Sequence, residues 1–440
     1  SQPAPVSDMT GPCVAKNPYG GGPGAGISLP PYFRPTASLK NNNVYYPGME
    51  ELGKDEMRIS FVGSTPFPPR LAQAGTAIMV ELGNGKRFFF DFGSGCMRNI
   101  IAMQIPCGLI NDIFISHLHV DHYADLPYLL PFGAAMGMRY KPLRVTGPSG
   151  RTPDLGTKAM CENMKKMLKW HLEEFETCPI GDGFEIEVNE FDYTKENDIC
   201  YNQDGVTIRH WPRSHGKDGA SAYRLDWNVL SFVWTGDGRP DELTLKYAKG
   251  VDVFVTEVQS DLGAVQSLKM GMPVGLYEYV IDTHHTPHYA AGYLMKHINP
   301  RVGIVTHMFL DAGLNSELVA GVRTHWDGLF VVGAPDVKVV NVTKDAIWAR
   351  ETALVDLASP RKATLSELPE LLTFDPSRGL GHVVLPPVKL PREQQQSAIY
   401  RELEIDPNKY YPPDVDRPLV TTMPSTVNMI EDVVKGKMKG

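Results

Sequence analysis

The chain contains no apolar run of the roughly 20 residues that a membrane-crossing helix needs. A helical membrane protein is excluded, and no membrane partner is expected. Its six cysteines, Cys13, Cys96, Cys107, Cys161, Cys178 and Cys200, include no CxxC pair. That excludes a zinc ribbon and leaves structural thiols or a few disulfides. There is no long Lys/Arg run, and the formal net charge is −8. Nucleic-acid binding rests on phosphate neutralisation, so the acidic balance predicts no nucleic-acid partner. No internal repeat is found. The chain opens on Ser1-Gln2-Pro3-Ala4 rather than methionine, which reads as a mature exported chain; a periplasmic or secreted location is expected, with the cytoplasm as the alternative.

What is present suffices for a large core: 440 residues, 42% hydrophobic and 21% charged. Residues 1–55 are rich in Gly, Pro and Asn and read as an irregular arm. Strands are predicted at 57–61, 76–82, 87–91, 112–115, 143–146, 205–210, 221–226, 230–235, 251–256, 302–306 and 338–342. Helices are predicted at 96–104, 124–138, 156–175, 241–249, 288–298 and 315–325. This alternation defines an α/β domain over 56–349, with sheets in the core and helices outside. Residues 350–440 carry too many prolines for a compact domain, yet Leu371, Leu372, Val383, Val384, Tyr410 and Tyr411 are too apolar for a free linker. They are expected to pack on the domain or on a partner subunit, making a homo-oligomer.

Residues 115–123, ISHLHVDHY, place His117, His119, Asp121 and His122 directly after an apolar strand. A single histidine there is most often a satisfied polar group. Three imidazoles and a carboxylate together would crowd like charges or leave donors unpaired, and a divalent metal resolves that conflict. Alternation points His117 and His119 to one side, leaving Asp121 and His122 to turn toward a second ion. Further ligands must come from elsewhere. His215, Asp237 and His307 each stand at the end of a predicted strand.

His117-Leu118-His119-Val120-Asp121-His122 reproduces the HxHxDH signature, and the chain resembles the metallo-β-lactamase superfamily, more narrowly its branch with tRNase Z, zinc arylsulfatases and related phosphodiesterases. Phe61-Val62-Gly63-Ser64, Phe90-Asp91-Phe92-Gly93-Ser94-Gly95, Thr146-Gly147-Pro148 and Thr235-Gly236-Asp237 support the resemblance, which covers roughly 57–345. It implies a four-layer αββα sandwich with extended N- and C-terminal arms. It also implies two Zn2+ per chain, one held by His117, His119 and His215, the other by Asp121, His122 and His307, with Asp237 bridging. His285 matches a histidine that serves the leaving group, and Glu257 matches a glutamate that orients it. Asp121 is counted with these two as catalytic.

Met160, Met164, Met167, Leu168 and Trp170 form a near-helical stripe, which is more often core or interface than a substrate box. With Trp211, Trp227, Phe132 and Tyr140 it suits an apolar mouth over the metals. The expected function is therefore a dizinc hydrolase of a small aromatic or hydrophobic ester, an aryl sulfate or phosphodiester. The alternatives are hydrolytic dehalogenation of an activated chloroaromatic, as in chlorothalonil dehalogenase, and a non-catalytic metal-binding or assembly protein.

Overall fold

The computed structural model describes residues 44–48, 50–175, 180–260, 271, 273–310 and 314–354. The strands in chain order are β1 (Val44–Tyr45), β2 (Met57–Gly63), β3 (Ala77–Leu82), β4 (Arg87–Phe90), β5 (Asp112–Phe114), β6 (Leu143–Pro148), β7 (Ile186–Phe191), β8 (Asp198–Gln203), β9 (Val206–Pro212), β10 (Ser221–Trp227), β11 (Leu230–Trp234), β12 (Val253–Glu257), β13 (Val302–Thr306), β14 (Phe330–Val332), β15 (Lys338–Val342) and β16 (Ile347–Thr352). The helices are α1 (Cys96–Ala102), α2 (Leu126–Ala135), α3 (Thr157–Met167), α4 (Lys169–Glu174), α5 (Glu242–Tyr247), α6 (Val274–His284), α7 (His288–Ile298) and α8 (Leu314–Arg323).

Two sheets form, in the orders β1-β16-β15-β2-β3-β4-β5-β6-β7 and β14-β13-β12-β11-β10-β9-β8. Side chains alternate along each strand, so both faces of a buried sheet need cover. In β4, Phe88 and Phe90 enter the core between the sheets, where Phe90 meets Phe232 of the other sheet at 5.1 Å between ring centroids. Phe89, one residue out of phase, joins Ile113, Ile100 and Leu129 on the outer face under α1 and α2. The second sheet's outer residues Val233, Phe254 and Val305 pack against Leu294 and Met295 of α7 and Val322 of α8. Each such buried side chain contributes about 1.5–3 kcal/mol. The expected αββα sandwich is the fold adopted.

The hairpin predicted around Gly83-Asn84-Gly85-Lys86 is present, with Leu82 N–H donating to the Lys86 carbonyl at 2.9 Å. Several elements differ from the sequence reading. The helix predicted over 156–175 breaks at Leu168 into α3 and α4. Strands β7, β8, β14 and β16 and helix α6 fall outside the predicted elements. IEVNEF and DICYNQ sit near sheet edges with half their side chains in water, so they lack the apolar run that marks a central strand. Of the expected arms, only 44–48, 50–55 and 350–354 are described, and there β1 pairs in parallel with β16. The rest of both arms, and the subunit contact expected of the second, lie outside the described residues. Cys96, Cys107, Cys161 and Cys200 are free thiols; Cys13 and Cys178 lie outside the described residues. No helix among the described residues is long and apolar enough to cross a membrane.

Candidate metal centre

In the first sheet β4, β5 and β6 run parallel; in the second, β11, β12 and β13 do. Their carboxyl ends face one edge of the sandwich, the usual place for a site in an open α/β sheet. Asp91 follows β4, the His117–His122 loop follows β5, Asp237 follows β11, Glu257 ends β12 and His307 follows β13. His215 arrives from the β9–β10 connection. All seven expected ligands, together with His285 and Glu257, are thereby brought to one place.

The local backbone explains how. Asp91 and His307 sit in the left-handed region, at φ 62° and 55°, uncommon for residues with a β-carbon. Each turns abruptly as its strand ends. Gly93 passes so close to the histidine loop that a β-carbon would stand 2.1 Å from the Asp121 carbonyl. The loop is also tied to the second sheet, since Tyr223 Oη–H donates to the Ile115 carbonyl at 2.6 Å and Ser221 N–H to the Ser116 carbonyl at 2.9 Å.

His117, His119 and His215 gather one set of nitrogens, and Asp121, His122 and His307 a second; within each set the atoms lie within 4.8 Å of one another. His215 Nε2 stands 3.1 Å from His119 Nδ1. In the second set His307 Nε2 is 3.3 Å and His122 Nε2 3.5 Å from Asp121 Oδ2. Asp237 Oδ2 stands between the sets, 3.3 Å from His307, 3.4 Å from His122 and 3.9 Å from His117. Two ligands bonded to one tetrahedral zinc at about 2.1 Å are separated by roughly 3.4 Å, so these spacings match edges of a coordination shell. His117 Nε2, His122 Nε2 and Asp237 Oδ1 are buried without a hydrogen-bond partner. Each would cost about 1–3 kcal/mol if left so. The donor set and these orphaned atoms fit divalent metal.

The electrostatics divide the imidazoles: three are held neutral, whereas burial would lower His122 but Asp237, Asp121 and Asp91 raise it well above the usual histidine range. Burial and the neighbouring His122 push His117 well below the usual histidine range, and burial takes His215 down to about 3 and lowers His119. Neutral imidazole is the ligating form. Burial would raise Asp237, but His307 and His122 hold it well below the usual carboxylate range, so it carries its charge.

The supporting contacts were invisible to the sequence reading. Asp91 accepts from His122 Nδ1 at 2.9 Å, Ser116 N–H at 2.7 Å, Ser116 Oγ at 2.8 Å and Trp234 Nε1 at 2.8 Å. A carboxylate behind a ligating imidazole fixes its tautomer and orientation. A charge directly after the buried run Phe88-Phe89-Phe90 was a usable signal, the same one that singles out His117. His215 Nδ1 meets the His284 carbonyl at 2.6 Å, and Gln259 Nε2 donates to the His307 carbonyl at 2.9 Å. A β-carbon on Gly216 would stand 1.8 Å from His284 Nε2, so any other residue there would displace the His284 ring.

His285 Nδ1 lies 3.2 Å from Glu257 Oε2 and 3.8 Å from Asp237 Oδ2. Glu257 also accepts from Thr286 N–H at 2.8 Å, which fixes its carboxylate. Burial would lower His285, but Glu257, with Asp237 and Asp121, holds it up to about 9.

The apolar mouth is only partly as expected. Met160, Met164 and Met167 line a cavity beside His117, His119 and His215. Trp211 and Trp227 are instead buried in the core, and Phe132 packs on His171.

No protein-family profile matches the chain. Ribonuclease Z of Methanocaldococcus jannaschii is 32% identical over 160 residues, 36% of this chain and 44% of that protein. Ribonuclease Z of Mycolicibacterium gilvum is 26% identical over 225 residues, 49% of this chain and 72% of that protein. The chain thus spans under half of the first relative's length. The crystal structure of the short form of human tRNase Z superposes with a TM-score of 0.47 at 17% identity, over 64% of this chain and 98% of that one. Relatives named for RNA hydrolysis overturn the expectation of a small aryl ester or chloroaromatic substrate, of a non-catalytic role, and of no nucleic-acid partner. The physical error was to read a whole-chain average: phosphate contacts are local, and a net charge of −8 over 440 residues does not describe one edge of the sandwich. The HxHxDH loop, the two-sheet architecture and the alignments with ribonuclease Z proteins support the resemblance of the chain to the metallo-β-lactamase superfamily and its tRNase Z branch.

Proposed function

We propose that the chain is a metal-dependent endoribonuclease, hydrolysing a phosphodiester of RNA at the carboxyl edge of its two sheets. The observation that carries this reading is the convergence of seven side chains able to ligate metal in a chain whose relatives are named ribonucleases. His117, His119 and His215 would hold one zinc, Asp121, His122 and His307 a second, and Asp237 would face both. Bound there, two zinc ions would supply Lewis acidity toward a phosphoryl oxygen and an acidified water.

The chain's own residues do the rest. Asp91 and Gln259 lock the imidazoles of His122 and His307 from behind. His285, held against Glu257 through Nδ1, keeps a proton at neutral pH and lies at the edge of the centre, where it would donate to the leaving 3′-oxygen. Asp121, the most exposed of the carboxylates here, orients the incoming water.

The test is cleavage of a 3′-extended tRNA precursor by the zinc-reconstituted chain. Cleavage is expected, with loss on chelation and in His119→Ala and Asp237→Ala. A zinc-loaded, folded chain that leaves all RNA intact overturns the reading.

A further inference from the structure

Beside the centre lies a cavity of about 490 Å3, within the roughly 300–1,000 Å3 of small-molecule sites. It reaches His117, His119 and His215, but none of Asp121, His122, Glu257, His285 or His307 lines it. It therefore lies on the His117–His119–His215 side of the centre.

Its wall combines methionine side chains with polar groups. Met160, Met164 and Met167 recur at i, i+4 and i+7 on α3 and so share one face. Met164 is 5% exposed, but Met167 is 66% and Leu155 38% exposed, so the stripe runs from the core out to the surface. A stripe serving only the core would not extend its thioether into water. Methionine sulfur is polarizable and adapts to aromatic rings of different outline. Asn163 supplies an amide among the thioethers, and Lys217 supplies a cation to the lining, with the carboxylate of Asp154 also present. The nearby Asp218 carboxylate is engaged by Arg151 N–H at 2.6 Å.

We propose that this cavity seats one nucleobase of the RNA, that of the nucleotide which keeps the phosphate after cleavage, with Lys217 on a backbone phosphate beside it. The inference rests on the ribonuclease reading. With the leaving 3′-oxygen turned to His285 and the attacking water in line behind phosphorus, the retained 5′-ester oxygen stands roughly at a right angle to both, and its nucleoside extends sideways toward the His117–His119–His215 face where the cavity lies. Every base has a π-face, so a thioether wall accepts all four with little sequence preference. Single-stranded ends are the RNA segments whose bases can be splayed into such a pocket.

The experiment compares two RNAs that are identical except for an abasic residue immediately 3′ of the scissile bond, cleaved by the zinc-reconstituted full chain. The wild type is expected to lose about tenfold or more in kcat/KM on the abasic RNA. Met167→Glu, at an exposed position, is expected to lose a similar factor on intact RNA and little further on abasic RNA; Lys217→Ala is expected to weaken both equally. A 4-thiouridine at that nucleotide should crosslink to the peptide carrying Met160–Met167. Equal cleavage of both RNAs by the wild type overturns the base seat while leaving the ribonuclease reading standing. So does a Met167→Glu effect that is the same on both. Absence of any RNA cleavage overturns the ribonuclease reading, and the seat with it.

Discussion

Asp91 shows how much depends on a residue that touches no reacting group. It is fully buried and accepts four hydrogen bonds from both sheets. Asp91→Ala should cost roughly 3–5 kcal/mol by leaving buried donors unpaired, and should weaken zinc binding about 10–100-fold. Chemical denaturation and zinc titration read these separately. His285 has a pH signature of its own in the chelated protein. Its folded pKa of about 9 exceeds the usual 6.5, so its protonated form favours folding. That contribution is complete below pH 6.5 and fades as pH rises through about 9. His117, His119 and His215 are shifted down and act only at lower pH. The melting temperature of His285→Gln in EDTA should therefore converge on that of wild type above pH 9 and lie below it near pH 6.5. Parallel curves would remove the Glu257 pairing from the account.

At the scale of elements, neighbouring strands are joined by more than their ladders. Glu81 on β3 accepts from Arg58 of β2 at 2.8 Å and from Arg87 of β4 at 2.9 Å, all on one face. Burial would raise the Glu81 carboxyl, but Arg58 and Arg87 bring it down to about 2. Its stabilisation is present above the usual 4.5 and is lost as pH falls toward 2. Glu81→Gln should thus flatten the acid-unfolding curve in that window, measured by circular dichroism; an unchanged midpoint would show the trio contributes nothing. Elements also mark where sequence reading ends. The central strands β2, β3, β11, β12 and β13 are buried throughout and read as apolar runs. The half-exposed β7 and β8 do not. The break between α3 and α4 has no proline or glycine to announce it.

For the whole molecule, the candidate metal centre links the two sheets, since His117, Asp121 and His122 belong to one and Asp237 and His307 to the other. Zinc bound there holds both together and stabilises only the folded chain. A hundredfold excess over Kd should raise the unfolding free energy by about 2.7 kcal/mol. Calorimetry with and without chelator measures it, and an unmoved transition would mean that the cluster holds no ion.

The local chemistry was legible along the chain. A histidine or aspartate directly after an apolar strand is conspicuous because nothing in a core pairs with it, so His117, His119, Asp121, His122, His215, Asp237 and His307 stood out as residues. What the chain could not express is distance. Asp91 looks like one more strand-end acid until β4 and β5 pair in parallel and set it behind His122. The methionines of α3 look like core until the helix is laid beside His119 and one end of the stripe meets water. Net charge misled for the same reason: it sums over a sequence, whereas a phosphate is met by the few groups that folding gathers at one edge.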